Sequence, residues 1–393
     1  MPTYKRPARK NPSGFGVVKG NKKERKIAKK RRTTISLFVA VVLVVVFLFL
    51  NAQAPGGVVE WAQNTFIFTS RVESWGETPL GSSARLLQTS GGNSLVLTDS
   101  AFVALNSAGN LRFNRAHGFT NPEMVTNGVR TVIFDRDGRG VRVHNLRDEL
   151  LFNRTDNAII TAALSANGIM AFATHSTQRS VMSEIHIYNH NWRPITNINI
   201  HDYILADIAI SDNGRLVYGL FLSARDGEIS TIVKSFNARN GQELESVRFD
   251  GTLLFNISVM GNRVVVLGED RVVSLRGNLG HVETHEFERG RLTGFDVSGD
   301  SVAVVLEEGE ASVVKVISRG GRLVAEHEVY GRVSKVSRHG SAVVVARQQE
   351  ILLINDNGRT SSGLAPEDTI DVGMSGRQVL VLGRNRVRRA EVE

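Results

Sequence analysis

The chain has 393 residues, 41% hydrophobic and 22% charged, which excludes both a disordered chain and a minimal domain. It contains no Cys, so disulfides, thiolate metal sites and cysteine nucleophiles are excluded. The formal charge of +9 is concentrated at one end. Residues 1–32 hold 13 of the 48 Lys and Arg and a single acid, Glu24, leaving 35 basic and 38 acidic residues for the rest of the chain.

The first predicted element is this basic tail, residues 1–32. It ends in Lys29, Lys30, Arg31 and Arg32, and an uncharged run from Thr33 to Leu50 without Gly or Pro follows. As a helix those 18 residues span about 27 Å, close to the thickness of a bilayer's hydrocarbon layer. Their apolarity on every face is unlike an amphipathic surface helix. The sequence predicts one transmembrane α-helix over 33–54 that crosses the cell membrane once, with the basic cluster holding the N-terminus in the cytoplasm and the remainder of the chain outside the cytoplasm. A cleaved signal peptide is the alternative, because Ala52-Gln53-Ala54 has the small-x-small form of a cleavage site. The long basic region and Pro55 argue against it. The tail's two aromatics, Tyr4 and Phe15, give little for base stacking, so the expected partner is the membrane and no nucleic acid.

Residues 55–83 read as a juxtamembrane linker opened by Pro55-Gly56-Gly57. From residue 84 to 393 the chain repeats. Gly turns at 92, 128, 168, 214, 261, 299, 340 and 376 each precede a short apolar run, at spacings of 36, 40, 46, 47, 38, 41 and 36 residues. Runs such as Val302-Ala303-Val304-Val305-Leu306 suit a strand buried on both faces. Hairpins such as Ser235–Leu244, turning on Asn240-Gly241, recur after them. Four antiparallel strands in about 40 residues is the pattern of a propeller blade. The fold class is therefore all-β, an eight-bladed β-propeller, with a seven-bladed ring or paired sandwiches as alternatives. The last unit, from Thr369, has room for three strands, so a segment between Thr65 and Leu86 is expected to supply the fourth and close the ring.

Val96-Leu97-Thr98-Asp99, the hairpin at Gly109, His117-Gly118-Phe119-Thr120-Asn121-Pro122 and Asp135-Arg136-Asp137-Gly138 resemble the first blades of a bacterial family of single-span, membrane-anchored propellers known as a domain of unknown function. The resemblance runs from the membrane segment to about residue 270 and weakens afterwards. More distantly the hairpins resemble quinoprotein-like and WD40-like repeats, without the Trp docking pattern of the former or the Trp-Asp dipeptide of the latter. The resemblance implies architecture and not activity, and neither cofactor binding nor a named partner carries over from it.

His281, Glu283 and His285 alternate along a predicted strand and so share a face, a set that suits zinc; an exposed outer strand explains the same alternation. His186 and His190 fall on strand and turn. Asp135, Asp137 and Gly138 begin like a calcium loop, but Arg139 stands at the third ligand position, so a hairpin turn is expected. His117, Phe119 and Asn121, between the first two blades, are the candidate binding surface, with an interblade turn as the alternative. Asn153-Arg154-Thr155 and Asn256-Ile257-Ser258 fit glycosylation sequons. No nucleophile elbow, phosphate loop or paired-carboxylate site is present in the sequence. The expectation is a monomeric binding or scaffold module of the cell envelope with a protein or glycan partner, without catalytic, cofactor or metal sites. The alternative is an enzyme or ligand sensor using the central channel.

Overall fold

The computed structural model of the chain describes residues 76–393, apart from 91, 226 and 281, together with 39–42 and 44. Residues 1–52 and 53–393 fall into two compact units. In the first, residues 39–42 and 44 are helical. Among the described residues no helix is long and apolar enough to cross a membrane. The cluster Lys29–Arg32, most of the run over 33–54 and the linker as far as residue 75 lie outside the described residues.

The second unit holds eight antiparallel four-stranded sheets, not seven. Blades 1 to 7 are continuous in sequence, at 84–116, 122–154, 159–200, 204–250, 254–286, 291–330 and 333–364. Blade 8 takes three strands from 371–390, and its outermost is Thr78–Pro79. The two ends of the ring thus meet inside one sheet, with Thr78 opposite Val387 and Pro79 opposite Arg386. The Leu80 amide adds a bond of 2.8 Å to the Asn385 carbonyl, and buried Leu80 packs with Leu382 and Val387. The last residues fasten sideways, where Glu393 and Ser362 exchange both backbone bonds at 3.0 Å.

The second strand of each blade is the buried apolar run. Val302–Leu306 and Val343–Val345 are at most 1% exposed. Six of those eight residues are β-branched Val, which suits a strand packed on both faces. The eight turn glycines ahead of these strands all have positive φ, between 55° and 89°, the region where a Cβ is costly. Outermost strands alternate instead; Glu149–Arg154 reads half-buried, exposed, half-buried along its length.

Innermost strands line the channel and are the least regular. Those of blades 1, 3, 4, 5, 6 and 7 each shift register near their start. A bulge of this kind bends the strand and re-aims the side chains beyond it.

Candidate functional site in the central channel

Three aspartates on innermost strands, Asp207, Asp296 and Asp371, belong to blades 4, 6 and 8. Each reaches across to the next blade. One oxygen of Asp207 accepts from the Ile257 amide at 3.1 Å and Asn256 Nδ2 at 3.3 Å. The other accepts from its neighbour Ile208 at 2.9 Å and Thr161 Oγ1 at 3.4 Å. Asp207 therefore ties blades 3, 4 and 5 together. Asp296 accepts from the Arg338 amide of blade 7 at 2.6 Å. Asp371 accepts from the Leu87 amide of blade 1 at 2.9 Å and from Val372 at 2.9 Å, so the ring is fastened on its inner edge at the same blade that closes its outer edge.

Burial pushes the carboxyls of Asp207 and Asp371 up to about 6, against backbone amides that favour the charged form. Burial also raises Asp296. The backbone amides and Asn256 Nδ2 can only donate to these oxygens, which favours the ionised form, while the Thr161 hydroxyl can donate or accept.

Around these groups the channel opens into cavities. One of about 600 Å³ is lined by Gln88, Thr161, Asp207 and Asn256, with Glu123 and Arg136, which pair at 2.9 Å. A second, of about 320 Å³, lies between Asp296, Arg338 and Asp371. A third, of about 410 Å³, places Phe255 and Phe295 with Arg85 and Lys335. The two rings meet at 5.8 Å, tilted by 59°. Chemically, the channel offers carboxylates that accept from neighbouring blades, a partly exposed ion pair, and an aromatic corner in a cavity that Arg85 and Lys335 also line.

The residues singled out between blades 1 and 2 form a fastened turn. His117 is 1% exposed. Its Nε2 lies 3.0 Å from the Thr98 carbonyl and its Nδ1 accepts from the Phe119 amide at 3.0 Å. That pair of bonds fixes the neutral imidazole protonated on Nε2, and burial with Arg142 and Arg85 nearby lowers its pKa. Phe119 packs where a Cβ at Gly140 would overlap its ring. Asn121 receives Arg85 at 3.4 Å, and its amide and that of Thr120 donate to Asp135 at 2.8 and 3.0 Å. Asp135 is thus a loop fastener, and the Gly138 amide closes a turn on its carbonyl at 3.0 Å.

Of the other set, His281 lies outside the described residues. Glu283 and His285 share the outermost strand of blade 5. Burial and Lys315 hold the His285 imidazole below its ordinary pKa. Among the described residues no three His, Asp or Glu gather as a metal site requires.

Sequence reading passed over the three channel aspartates. Their signal is a single acid heading an apolar stretch just before a repeat's Gly turn: Asp207-Ile208-Ala209-Ile210, Asp296-Val297 and Asp371-Val372.

Fold and channel together define an eight-bladed propeller whose inner strands are cross-linked by buried carboxylates. Residues 71–389 match the family described as "Family of unknown function (DUF5711)", and the chain belongs to that family. The match extends past residue 270 to the final strand. No curated protein matches the chain significantly. Among solved structures, the computationally designed Ika8 protein is similar at a TM-score of 0.58 and 15% identity, over 80% of this chain and 99% of that one. BamB from Moraxella catarrhalis gives 0.54 and 10%, over 82% and 100%. A eukaryotic initiation factor gives 0.52 and 13%, over 81% and 85%. At such identities the likeness shows the propeller fold alone.

Proposed function

We propose that the chain is a single-span membrane protein of the cell envelope whose propeller lies outside the cytoplasm and acts as a binding or scaffold module. The observation that carries the non-catalytic part is the use of Asp207, Asp296 and Asp371: their oxygens hold neighbouring blades together. A carboxylate whose oxygens are occupied in joining two blades serves first as a fastening of the ring. The anchoring part rests on Lys29–Arg32 ahead of the uncharged run Thr33–Leu50. A rigid ring on a tether presents broad faces to a protein or glycan partner.

The test uses the absence of native Cys. With Asn357→Cys on the ring and Ser13→Cys in the tail, a membrane-impermeant maleimide applied to intact cells should label 357 and spare 13. Labelling of 13 alone would place the ring in the cytoplasm and end this reading. A second reading, a ligand sensor, draws on the aromatic corner of Phe255 and Phe295 beside Lys335. Saturable binding of a small aromatic acid, lost in Phe295→Ala with an unchanged melting curve, would favour the sensor.

A further inference from the structure

The turns of the ring sort into two sets by geometry alone. Because strands within a blade are antiparallel, the first and third turns of every blade lie on one face. The second turn and the link to the next blade lie on the other. Among the described residues, the first-and-third-turn face carries eight arginines against four aspartates in its turns, while the opposite face carries ten carboxylates against six arginines. The ring as a whole is slightly acidic, so this is a separation of charge across a disc and not an excess of base.

All eight arginines are exposed, among them Arg215, Arg239, Arg319 and Arg322. None of the eight forms an ion pair with a described carboxylate. On the opposite face two turn arginines do pair, Arg136 with Glu123 and Arg332 with Glu307, while on the first face two of the four aspartates, Asp148 and Asp356, take Arg115 and Arg338 from the strands. The turn cations of the first face are arginine throughout, with no Lys. Guanidinium is the group that grips phosphate oxygens in bidentate fashion.

A second observation concerns direction. In blades 1 to 7 the outermost strand runs from the arginine face towards the acidic face. Thr78–Pro79 occupies that place in blade 8 and continues through Leu80–Ser83 into blade 1. The chain therefore enters the ring from the arginine side, and residue 50, the end of the apolar run, is only 28 positions before Thr78. On the reading that this run is a membrane span, the chain that follows it joins the ring on the cationic side.

We propose that the arginine face of the propeller rests against an anionic lipid bilayer, with Arg215, Arg239, Arg319, Arg322 and their neighbours contacting phospholipid headgroups. This rests on the membrane-anchored reading. Basic side chains close to an anionic leaflet each strengthen attachment about fivefold at physiological salt, and the attraction fades within a Debye length. The orientation leaves the acidic face outermost, free for a partner.

The full chain tests this in reconstituted vesicles. A fluorophore is placed at Asn240→Cys on the arginine face or Glu310→Cys on the other. The lipids are phosphatidylcholine alone or with about one third phosphatidylglycerol, carrying nitroxide headgroups as quenchers. Position 240 should quench strongly on the anionic vesicles at low salt, recover at about 0.5 M salt where screening is short-ranged, and quench weakly on the neutral ones. Position 310 should stay bright on both. Arg215→Glu, Arg239→Glu, Arg319→Glu and Arg322→Glu together should abolish the quenching while the melting curve stays put. Equal quenching on the two lipids, quenching at 310 instead, or indifference to the four reversals overturns the proposal. So does protection of 240 by soluble polyphosphate with no response to anionic lipid, which would make the face a polymer site. Release of the chain from every vesicle by alkaline carbonate would fail the anchor itself. An anchored chain without lipid-dependent quenching fails only the orientation.

Discussion

The early and late blades solve the same packing problem with different chemistry. In blades 1 to 4 the cores are built around rings: Phe102 meets Phe113 at 5.3 Å and His144 at 5.2 Å, and Tyr188 stacks on Trp192 at 4.4 Å. Between blades 6 and 7 the core is almost wholly small aliphatic, with Val305, Val314, Val316, Val343 and Val345 interlocked around Ala303 and Ala325. Aromatic side chains fill space in few large pieces of set geometry, whereas valines fill it in many stiff small ones. One blade geometry accepts both, so the repeat is specified by turns and burial and only loosely by residue type.

The comparison is broken most directly by removing a large piece. Phe172→Ala, at a site 0% exposed and edge-on to Tyr188 at 6.0 Å, should cost about 4 kcal/mol in chemical denaturation. The next effect separates the halves by pH. His144 is 1% exposed, and burial with Arg115 and Arg142 nearby holds its pKa at about 4. Its folded pKa is below the unfolded value of about 6.5, so the stability tied to the neutral ring is complete above 6.5 and lost as pH falls towards 4. Wild type should lose on the order of 3 kcal/mol across that window relative to His144→Phe, compared by urea midpoints at pH 7 and 4.5. An identical acid response in the two proteins would remove His144 from this role.

The aspartate fastenings should behave alike in both halves. Asp207→Ala and Asp371→Ala each leave an amide of the next blade without its acceptor, and each should cost about 2 kcal/mol at pH 7. Their pH dependence runs opposite to that of His144. A carboxyl raised to about 6 in the fold contributes most below the unfolded value of about 3.9 and loses that contribution as pH rises through 6. The penalty of each substitution should therefore shrink from pH 4 to pH 7. The smallest effect belongs to the aliphatic half, where Val304→Ala should cost about 1.5 kcal/mol, near the transfer value of the two carbons removed.

Much of the ring was legible because buried second strands write themselves as unbroken apolar runs after a Gly. Val264–Leu267 and Val379–Leu382 announce both strand and turn without reference to the rest of the fold. Blade count followed from those turns. The channel was not legible for the opposite reason. Whether Asp207 fastens blades or faces solvent depends on a register shift between Leu205 and Asp207 and on an amide 50 residues away, and neither leaves a local mark. His117 shows the same limit from the other side. Its stretch is distinctive in sequence, but that its ring nitrogens bond the Thr98 carbonyl, 19 residues back, and the Phe119 amide leaves no local mark. The charge division between the faces becomes visible only once turns are assigned to sides.

The two-residue strand Thr78–Pro79 also sets an order of events. It is among the first of the ring's residues to be synthesised and its partners, Arg386 and Val387, are among the last. Until those emerge, Thr78 has no strand to join, and the inner fastening of Asp371 to Leu87 is equally unavailable. Contacts of such long sequence separation are slow to form. The seven continuous blades are thus expected to assemble as an open arc with two bare edges, and the final step is one of joining, not of building.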